Sequence, residues 1–262
     1  MDKLNKEAIY TKESIKHARN VKILPELCAY TPKEVYELLV TNERIHSWFQ
    51  IIGNHYYPDP TKKILLLYPC STTKPFWESR SYKALEGTLK KFSKYRKYIH
   101  LVTVSEPFGL IPEEFYGIKG DGYNWKDEWY DVPGLFEWWV KKHGLPYDRQ
   151  YADRSIEIIA HSIAHYLKKT ENSYKVRIAF VRTYSSTLKK KDDHTHRRMI
   201  ELASWISGVT IKLLPSKYLI KKIVDKYGRF AWDMYGIAHP EAQKYLEWHL
   251  KHAIKRVITD ET

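Results

Sequence analysis

The stretch that decides the fold reads Lys62-Lys63-Ile64-Leu65-Leu66-Leu67-Tyr68, followed directly by Pro69-Cys70-Ser71-Thr72-Thr73-Lys74-Pro75. Its first half is a continuous apolar run behind a charged entry, which is typical of a strand buried on both faces of a parallel sheet. Its second half is polar and begins where that strand ends. Because ligands bind beyond the carboxyl ends of parallel strands, we expect a functional site at this point.

The rest of the chain extends this pattern with alternating strands and helices. Further strands are predicted at residues 98–104, 176–181 and 209–213. Helices are predicted at residues 79–92, 153–167, 193–207 and 240–258. Such alternation predicts an α/β fold, with a three-layer α/β/α architecture around a mostly parallel central sheet.

The chain is predicted to have two parts, an N-terminal helical extension over residues 1–58 and a single α/β base-binding domain over residues 59–262. Thr31-Pro32-Lys33-Glu34 fits a capping box with proline at the first helical position. A long segment over residues 105–134 is rich in Gly, Pro and aromatic residues. Connections of this length in a compact domain are usually functional or disordered, and the density of rings favours order.

Composition narrows the class of protein. The 262 residues carry a formal net charge of +13 and 15% aromatic residues. A charge of this size attracts phosphate backbones, and exposed rings among cations stack on bases, so nucleic acid is the favoured partner. A lysine-rich solubility surface, or an acidic membrane or protein partner, are the alternatives.

The sequence also indicates where the protein works. It has no apolar run of about eighteen residues and no apolar stretch behind its charged start, so we expect no membrane span or secretory signal and a cytoplasmic location. Two cysteines, Cys28 and Cys70, make neither a disulfide framework nor a four-thiolate zinc site. No cofactor or metal is predicted.

Residues 69–81 concentrate reactive groups: a thiol, five hydroxyls, an amine and a guanidinium. Hydroxyls and amides that lead into a helix can bind an anion or a carbonyl. The segment lacks the glycines of a nucleotide-triphosphate loop. The alternative is a polar loop in which Ser79 or Ser81 caps the following helix.

The pattern Pro69-Cys70-Ser71-x-x-Lys74-Pro75-Phe76-x-x-Ser79-x-Ser81 resembles the signature of the archaeosine synthase core domain family. Two later segments, Glu106-Pro107-Phe108-Gly109-Leu110-Ile111-Pro112 and Tyr130-Asp131-Val132-Pro133, resemble that family in the same order, and together they cover roughly residues 62–215. This chain has Tyr82 where the family pattern has histidine, and Phe76 where it favours tyrosine.

The resemblance implies a fold like that of uracil-DNA glycosylases and an action on a 7-deazaguanine base in tRNA. It implies that the amine of lysine adds to a nitrile on that base to form an amidine. The candidate catalytic residues are Cys70, Lys74, Glu106 and Asp131. Cys70 is either a nucleophile or a buried thiol, and Lys74 either positions substrate, acts as an amine nucleophile or contacts phosphate. The two carboxylates are acid/base groups or ring N–H acceptors, or they cap loops.

Other residues are assigned to binding. Candidate substrate-binding residues are Ser71, Pro75, Phe76, Trp77, Ser79, Ser81, Pro107 and Tyr130, although the rings among them are as compatible with core packing as with stacking on a base. Candidate contacts to the nucleic-acid backbone are Arg80, Arg182, Lys189, Lys190, Lys191, Arg197 and Arg198. His194 and His196 fit a phosphate contact, a solvated helix start or, less well, a metal site, because their spacing does not place them on one helix face. His161 and His165 are interpreted as packing residues.

Three functions therefore stay open at this stage. The first is a tRNA base-modifying enzyme, the second a DNA glycosylase or abasic-site lyase on the same scaffold, and the third a nucleic-acid-binding relative without catalysis. The predicted partners are tRNA or DNA, no membrane, and a separate RNA-binding or modification protein. The sequence gives no oligomeric state.

Overall fold

The computed structural model describes residues 16, 18–116, 128–181 and 195–259 of the protein. Within them the strands are β1 (Lys22–Cys28), β2 (Ile64–Pro69), β3 (Ile99–Ser105), β4 (Gly109–Pro112), β5 (Glu128–Asp131), β6 (Val176–Phe180) and β7 (Lys212–Leu214). The α-helices are α1 (Pro32–Thr41), α2 (Glu43–Gln50), α3 (Arg80–Lys90), α4 (Glu137–Lys142), α5 (Arg149–Lys169), α6 (Thr195–Ser207), α7 (Lys217–Tyr227), α8 (Arg229–Tyr235) and α9 (Pro240–Thr259). Short 3₁₀ or π segments connect several of these elements.

A five-stranded sheet in the order β4-β3-β2-β6-β7 forms the centre of the fold. Strands β3, β2, β6 and β7 are parallel, and only the edge strand β4 runs antiparallel to its neighbour. Leu66 of β2 lies between Leu101 of β3 and Ile178 of β6. Every residue of β2 is buried. The prediction of a mostly parallel α/β sheet around this apolar run is confirmed.

Helices cover the sheet on both faces and complete a three-layer arrangement. Helix α5 packs against α1 and α6, and it buries Ile156, Ile159 and Ile163 along one face. Helix α9 packs against α3 and contacts β2 and β6, with Leu246 and Leu250 fully buried. Each helix therefore turns an apolar face inward, as the periodicity of the sequence indicates.

The N-terminal segment differs from the helical extension that was predicted. Thr31 does cap α1 in a capping box with Glu34. However, β1 forms a two-stranded parallel sheet with β5, in which Cys28 pairs with Asp131. The apolar positions of β1 fit helical spacing as well as a strand, so local pattern alone did not reveal a strand that is fixed by pairing with a distant segment.

A glycine secures this pairing where β5 ends. The amide of Ala29 donates to the carbonyl of Asp131 at 3.0 Å, and the amide of Gly134 donates to the carbonyl of Ala29 at 3.1 Å. A Cβ atom at Gly134 would lie 2.7 Å from the carbonyl oxygen of Thr31. The chain can approach this closely only because the residue has no side chain.

Other boundaries shift modestly from the prediction. The segment over residues 105–134 contains β4 and β5, which agrees with an ordered connection, although residues 117–127 lie outside the described residues. Helices α7 and α8 were not predicted. No helix in the described part of the chain combines the length and the apolar character needed to cross a bilayer.

Candidate active site

Three chain segments bring reactive side chains together at the carboxyl edge of the central sheet. Cys70 follows the last residue of β2, and Glu106 follows the last residue of β3. His196 lies in the first turn of α6, the helix that comes after β6 in the chain. All three line one cavity of about 360 Å³. This is the position at which open parallel sheets bind their ligands.

The thiol, the imidazole and the carboxylate are in mutual contact. The Sγ atom of Cys70 lies 3.8 Å from Nε2 of His196 and 4.0 Å from Oε2 of Glu106. The same Nε2 atom lies 3.1 Å from Oε2 of Glu106. The imidazole therefore has a carboxylate on one side and a sulfur on the other. Such an arrangement can hold a thiolate as a nucleophile and move a proton to or from a bound substrate.

The electrostatics of the cluster favour its charged form. Burial by itself opposes a charged imidazole, but the charge of Glu106 and hydrogen bonds with Cys70 and Glu106 raise the pKa of His196 to about 10. Burial also opposes a thiolate at Cys70, yet the charge of Lys74 and the contact with His196 lower the pKa of this thiol below its ordinary value. The charge of Lys74 and the contact with His196 thus favour the thiolate of Cys70, and the carboxylate of Glu106 favours the imidazolium of His196.

Lys74 is held beside the thiol by its own loop. Its side chain is buried, and Nζ donates to the carbonyl oxygen of Ser71 at 2.9 Å. Nζ also lies 4.6 Å from the ring centroid of Tyr130, whose hydroxyl is hydrogen-bonded to Ser105 at 2.6 Å. A cation over an aromatic face is stabilised electrostatically. Lys74 thus supplies a fixed positive charge at the wall of the cavity.

The remaining walls are largely apolar and aromatic. Asp131 and the residues after it contribute one wall, and the end of α8 with the turn after it contributes another. The lining residues of these two walls are Asp131, Val132, Pro133, Phe136, Trp138, Trp139, Asp233, Met234, Tyr235, Gly236 and Ile237. The ring of Phe136 lies 5.6 Å from the His196 ring, measured between centroids. A cavity of this size with a few converging polar groups suits a small organic ligand.

The structure brings together six of the residues predicted for the site. Cys70, Lys74, Glu106 and Asp131, the four candidate catalytic residues, line the same cavity, as do Ser71 and Ser81. Convergence of these groups at one sheet edge was the central expectation from the sequence. Their chemical roles stay predictions.

Other residues predicted to bind substrate lie elsewhere. Phe76 is fully buried in a cluster of rings, and Trp77 lines a second cavity with Tyr82 and Tyr116. Tyr130 is fully buried beneath Lys74 and does not line the active-site cavity. These corrections have one cause, since an aromatic side chain next to a strand end gains more contact by entering the core than by facing a solvated cavity.

Three small residues predicted for substrate binding, Pro75, Ser79 and Pro107, have structural positions instead. Ser79 caps α3 by accepting from the amide of Tyr82, and its hydroxyl is 3.0 Å from that of Ser81. Pro75 and Pro107 are buried at cis peptide bonds and do not line the cavity. The capping alternative for Ser79 is therefore confirmed.

The residues predicted to contact a nucleic-acid backbone fall into three groups. Arg80 is exposed beside the cavity, where a guanidinium nitrogen lies 3.5 Å from the carbonyl oxygen of Met234. Arg198 pairs with Asp153 at 2.7 Å, whereas Arg197 is buried and pairs with Glu201, which removes it from the surface. Arg182, Lys189, Lys190 and Lys191 lie outside the described residues, as does His194.

His196 is the residue whose importance the sequence did not reveal. The residue is only 7% exposed, so it is not a solvated helix start. Tyr82, which replaces the family's histidine, does not line the cavity and is hydrogen-bonded through its hydroxyl to Thr103 at 2.5 Å. The imidazole of this site thus comes from a segment 126 residues after Cys70.

The same three atoms are also a possible set of metal ligands, a grouping that the sequence does not predict. The ligand atoms of Cys70, Glu106 and His196 all lie within 4.8 Å of one another. From their separations, a point equidistant from all three is about 2.1 Å from each, close to the bond lengths of zinc with sulfur, nitrogen and oxygen. Three such ligands would leave one position open to substrate or water.

The protein family to which the chain belongs is shown by its similarity to known proteins. The chain belongs to the family described as "Domain of unknown function (DUF5591)", whose model matches residues 45–207. That range contains Cys70, Glu106, Asp131 and His196.

Curated relatives extend the comparison. The chain is similar to the archaeosine synthase subunit alpha of Methanosarcina acetivorans, with 30% identity over 95 residues, which are 33% of this chain and 15% of that protein. It is similar to the same subunit of Thermoplasma acidophilum, with 29% identity over 128 residues, or 48% of this chain and 20% of that protein. The subunit of Thermococcus kodakarensis shows 27% identity over 111 residues, 38% of this chain and 19% of that protein. These similarities confirm the family resemblance recognised in the motifs.

The matches cover only part of the relatives, since the aligned stretches span a fifth or less of each curated protein. Among solved structures, the chain is similar to the crystal structure of AF0587, a protein of unknown function, with 14% identity and a TM-score of 0.43. That match covers 77% of this chain and 48% of the other.

Proposed function

We propose that this chain is a tRNA base-modifying enzyme that acts on a 7-deazaguanine base through covalent catalysis by Cys70. The observation that carries the proposal is the contact of Cys70, His196 and Glu106 at the wall of a base-sized cavity. A thiolate with a lowered pKa, paired with an imidazolium, is the form in which cysteine attacks an electrophilic carbon.

The chemistry that fits these groups begins with a nitrile on the base. The Cys70 sulfur bonds to the nitrile carbon, one carbon–nitrogen π bond breaks, and the nitrogen takes a proton from His196 to give a thioimidate. An amine, such as that of free lysine, then adds to the same carbon while the thiolate leaves. The proton released by the amine returns to His196. Nitrile and amine thereby combine into an amidine with no atom gained or lost.

Each neighbouring group has a part in this sequence. Glu106, 3.1 Å from Nε2 of His196, stabilises the imidazolium that donates the first proton. Lys74 stabilises the thiolate before attack, because its fixed ammonium group is the main influence that lowers the pKa of Cys70. The carboxylate of Asp131 accepts an N–H group of the base, and the rings of Phe136 and Trp139 flank the base plane.

The names of the curated relatives support tRNA as the substrate. Archaeosine is a modified tRNA base, and the relatives are described as alpha subunits. We therefore include in the proposal that this chain works with a further protein that supplies RNA binding or a later step. The finer fold assignment, a scaffold like that of uracil-DNA glycosylases with its base-binding unit in residues 59–262, belongs to the same proposal. It is supported by the neighbouring parallel strands β2 and β3, whose carboxyl ends bring Cys70 and Glu106 to the cavity.

The test is a reaction of the purified chain with lysine and a tRNA whose 7-deazaguanine carries a nitrile. We expect a mass increase of the base equal to one lysine, and none with Cys70→Ala or His196→Ala. Cys28→Ala is the matched control, because Cys28 is buried in β1 and does not line the cavity. Unchanged product with Cys70→Ala would refute the covalent mechanism.

A second measurement separates catalysis from binding alone. If Cys70 forms the thioimidate, omission of lysine should leave a tRNA–protein adduct that survives denaturation and is absent with Cys70→Ala. Binding without adduct or product under all conditions would favour a nucleic-acid-binding protein without catalysis. None of the named relatives is a DNA-repair protein, so the glycosylase and lyase alternatives lack support.

A further inference from the structure

The helices α7 and α8 form a surface that the proposed chemistry does not use. Ile220, Ile223 and Trp232 are fully buried and anchor the two helices to the rest of the protein. Most of the outward residues of this pair are cationic or aromatic. We define the basic–aromatic surface as Lys217, Tyr218, Lys221, Lys222, Lys226, Arg229 and Phe230, all of which are exposed.

The charge of this surface is strongly one-sided. Residues 217–235 contain five cations, against the two carboxylates of Asp225 and Asp233. On α7, Lys217 and Lys221 lie one turn apart, and so do Tyr218 and Lys222, so rings and cations share one face of the helix. Cations along one face bind a phosphate backbone by counterion release.

The rings of this surface are unusually exposed for their size. Tyr218 is 76% exposed and Phe230 is 74% exposed. Large apolar side chains at this exposure mark interaction sites when they form a patch rather than scatter singly. Mixed rings and cations favour unpaired bases, because every base offers a face for stacking whereas a duplex hides its bases.

One of the two helices that carry the surface ends at the cavity. The end of α8 supplies Asp233, Met234 and Tyr235 to the cavity wall. Across the same rim, the guanidinium of Arg80 lies 5.1 Å from the ring centroid of Tyr235. A strand that delivers a base to Cys70 would therefore pass directly over α8.

We propose that the basic–aromatic surface of α7 and α8 binds a single-stranded stretch of RNA next to the base held in the cavity. The identity of the strand rests on the proposed function, since that function places a tRNA base at Cys70. Both helices lie outside residues 45–207, the part of the chain that the family model matches. Lysine and arginine hold the backbone, and Tyr218 and Phe230 stack on the flanking bases.

The test measures binding of a labelled single-stranded RNA by anisotropy over a series of salt concentrations. All variants are made in a Cys70→Ala background, so that no chemistry contributes. Lys222→Ala with Arg229→Ala should weaken binding and reduce the slope of log affinity against log salt by about 1.4, or about 0.7 for each lost phosphate contact. Phe230→Ala should weaken binding by about 5-fold to about 150-fold through loss of one stacked base.

The matched controls lie at the other end of the sheet. Lys94, Tyr95 and Lys97 are exposed residues just before β3, at the amino ends of the parallel strands. Lys94→Ala with Lys97→Ala removes the same net charge, and Tyr95→Ala removes an exposed ring. Neither should change affinity or salt slope by as much as the α7–α8 variants, and thermal unfolding should be unchanged in all of them.

Three results would overturn the inference: equal losses in the control variants, no effect of Phe230→Ala, or duplex RNA bound as tightly as single strands. The outcome is separable from that of the proposed function. Selective RNA binding without base modification by the Cys70-containing protein would refute the chemistry alone. Base modification that keeps its KM after the α7–α8 substitutions would refute the surface alone.

Discussion

Substitution of Glu106 by glutamine isolates the electrostatic feature on which the site depends. The Glu106 carboxylate lies 3.1 Å from Nε2 of His196, and both side chains are almost fully buried. Glutamine keeps the size of the side chain and one acceptor oxygen, and it removes the negative charge. We expect the pKa of His196 to fall from about 10 toward its ordinary value of 6.5, because burial then opposes the imidazolium with less compensation.

The magnitude follows from the same shift. A rise from 6.5 to about 10 corresponds to about 5 kcal/mol in favour of the imidazolium. Cys70 contributes to this stabilisation, so about 5 kcal/mol is the upper limit for Glu106 alone. Since the pKa of His196 is higher in the folded protein than in the unfolded chain, its protonation stabilises the fold fully below about pH 6.5. This stabilisation is lost as the pH rises through about 10. The free energy of unfolding should therefore be higher for wild type than for Glu106→Gln. This difference should be largest near about pH 6 and should become small toward about pH 10.

The direct assay is NMR titration of protein with labelled histidine, using His196→Ala to assign one resonance among the twelve histidines. Wild type should keep His196 protonated well above neutral pH, and Glu106→Gln should shift the midpoint downward by more than one unit. Urea unfolding at several pH values tests the linked stability. A wild-type midpoint near 6.5, or a midpoint that Glu106→Gln leaves in place, would refute the ion-pair assignment.

Three further predictions address the thiol, the metal-ligand geometry and the close approach at β5. Iodoacetamide at neutral pH should modify Cys70 much faster than Cys28, and His196→Ala should slow the modification of Cys70. Equal modification rates for the two thiols, measured by mass spectrometry, would contradict an activated Cys70. Zinc added before the reagent should protect Cys70 in wild type and not in His196→Ala, and protection in both would exclude His196 as a ligand. Gly134→Ala should destabilise the fold by about 1–3 kcal/mol, because the added methyl group would collide with the backbone of Thr31. Gly87→Ala is the control: its added methyl group meets no atom within 4 Å, and it should stabilise α3 by about 0.5–1 kcal/mol. Equal melting temperatures for the two variants would disprove the close approach at Gly134.

The central sheet was predictable because its signal is local. An apolar run such as residues 64–68 specifies a doubly buried strand without reference to any other part of the chain. The same holds for the cap at Thr31, which was read from a four-residue pattern and is present. Placement of Cys70, Glu106 and Asp131 at one edge then followed from a general rule of parallel sheets.

The features that the sequence did not predict are those that depend on contacts between distant parts of the chain. β1 becomes a strand because β5 lies beside it, more than 100 residues later in the chain. His196 acquires its environment from Cys70 and Glu106, and nothing in its neighbourhood, which includes two aspartates and two arginines, announces a buried ion pair. Phe76 and Tyr130 were misplaced for a related reason, since sequence alone does not say whether a ring beside a functional loop faces the core or the cavity.

The buried charges themselves argue for function over structure. Lys74, Glu106 and His196 are each less than 8% exposed, and they gather three ionisable side chains around the Cys70 thiol at one cavity wall. Apolar residues of similar volume would often stabilise such a position by about 1–4 kcal/mol relative to paired charges. A cluster that costs stability yet opens its thiol to a cavity fits a reactive centre better than a structural one. The charge of Lys74 and the contact with His196 lower the pKa of Cys70, whereas the charge of Glu106 acts on the thiol in the opposite direction. Single substitutions at Lys74 and at His196 should therefore each lower the reactivity of Cys70.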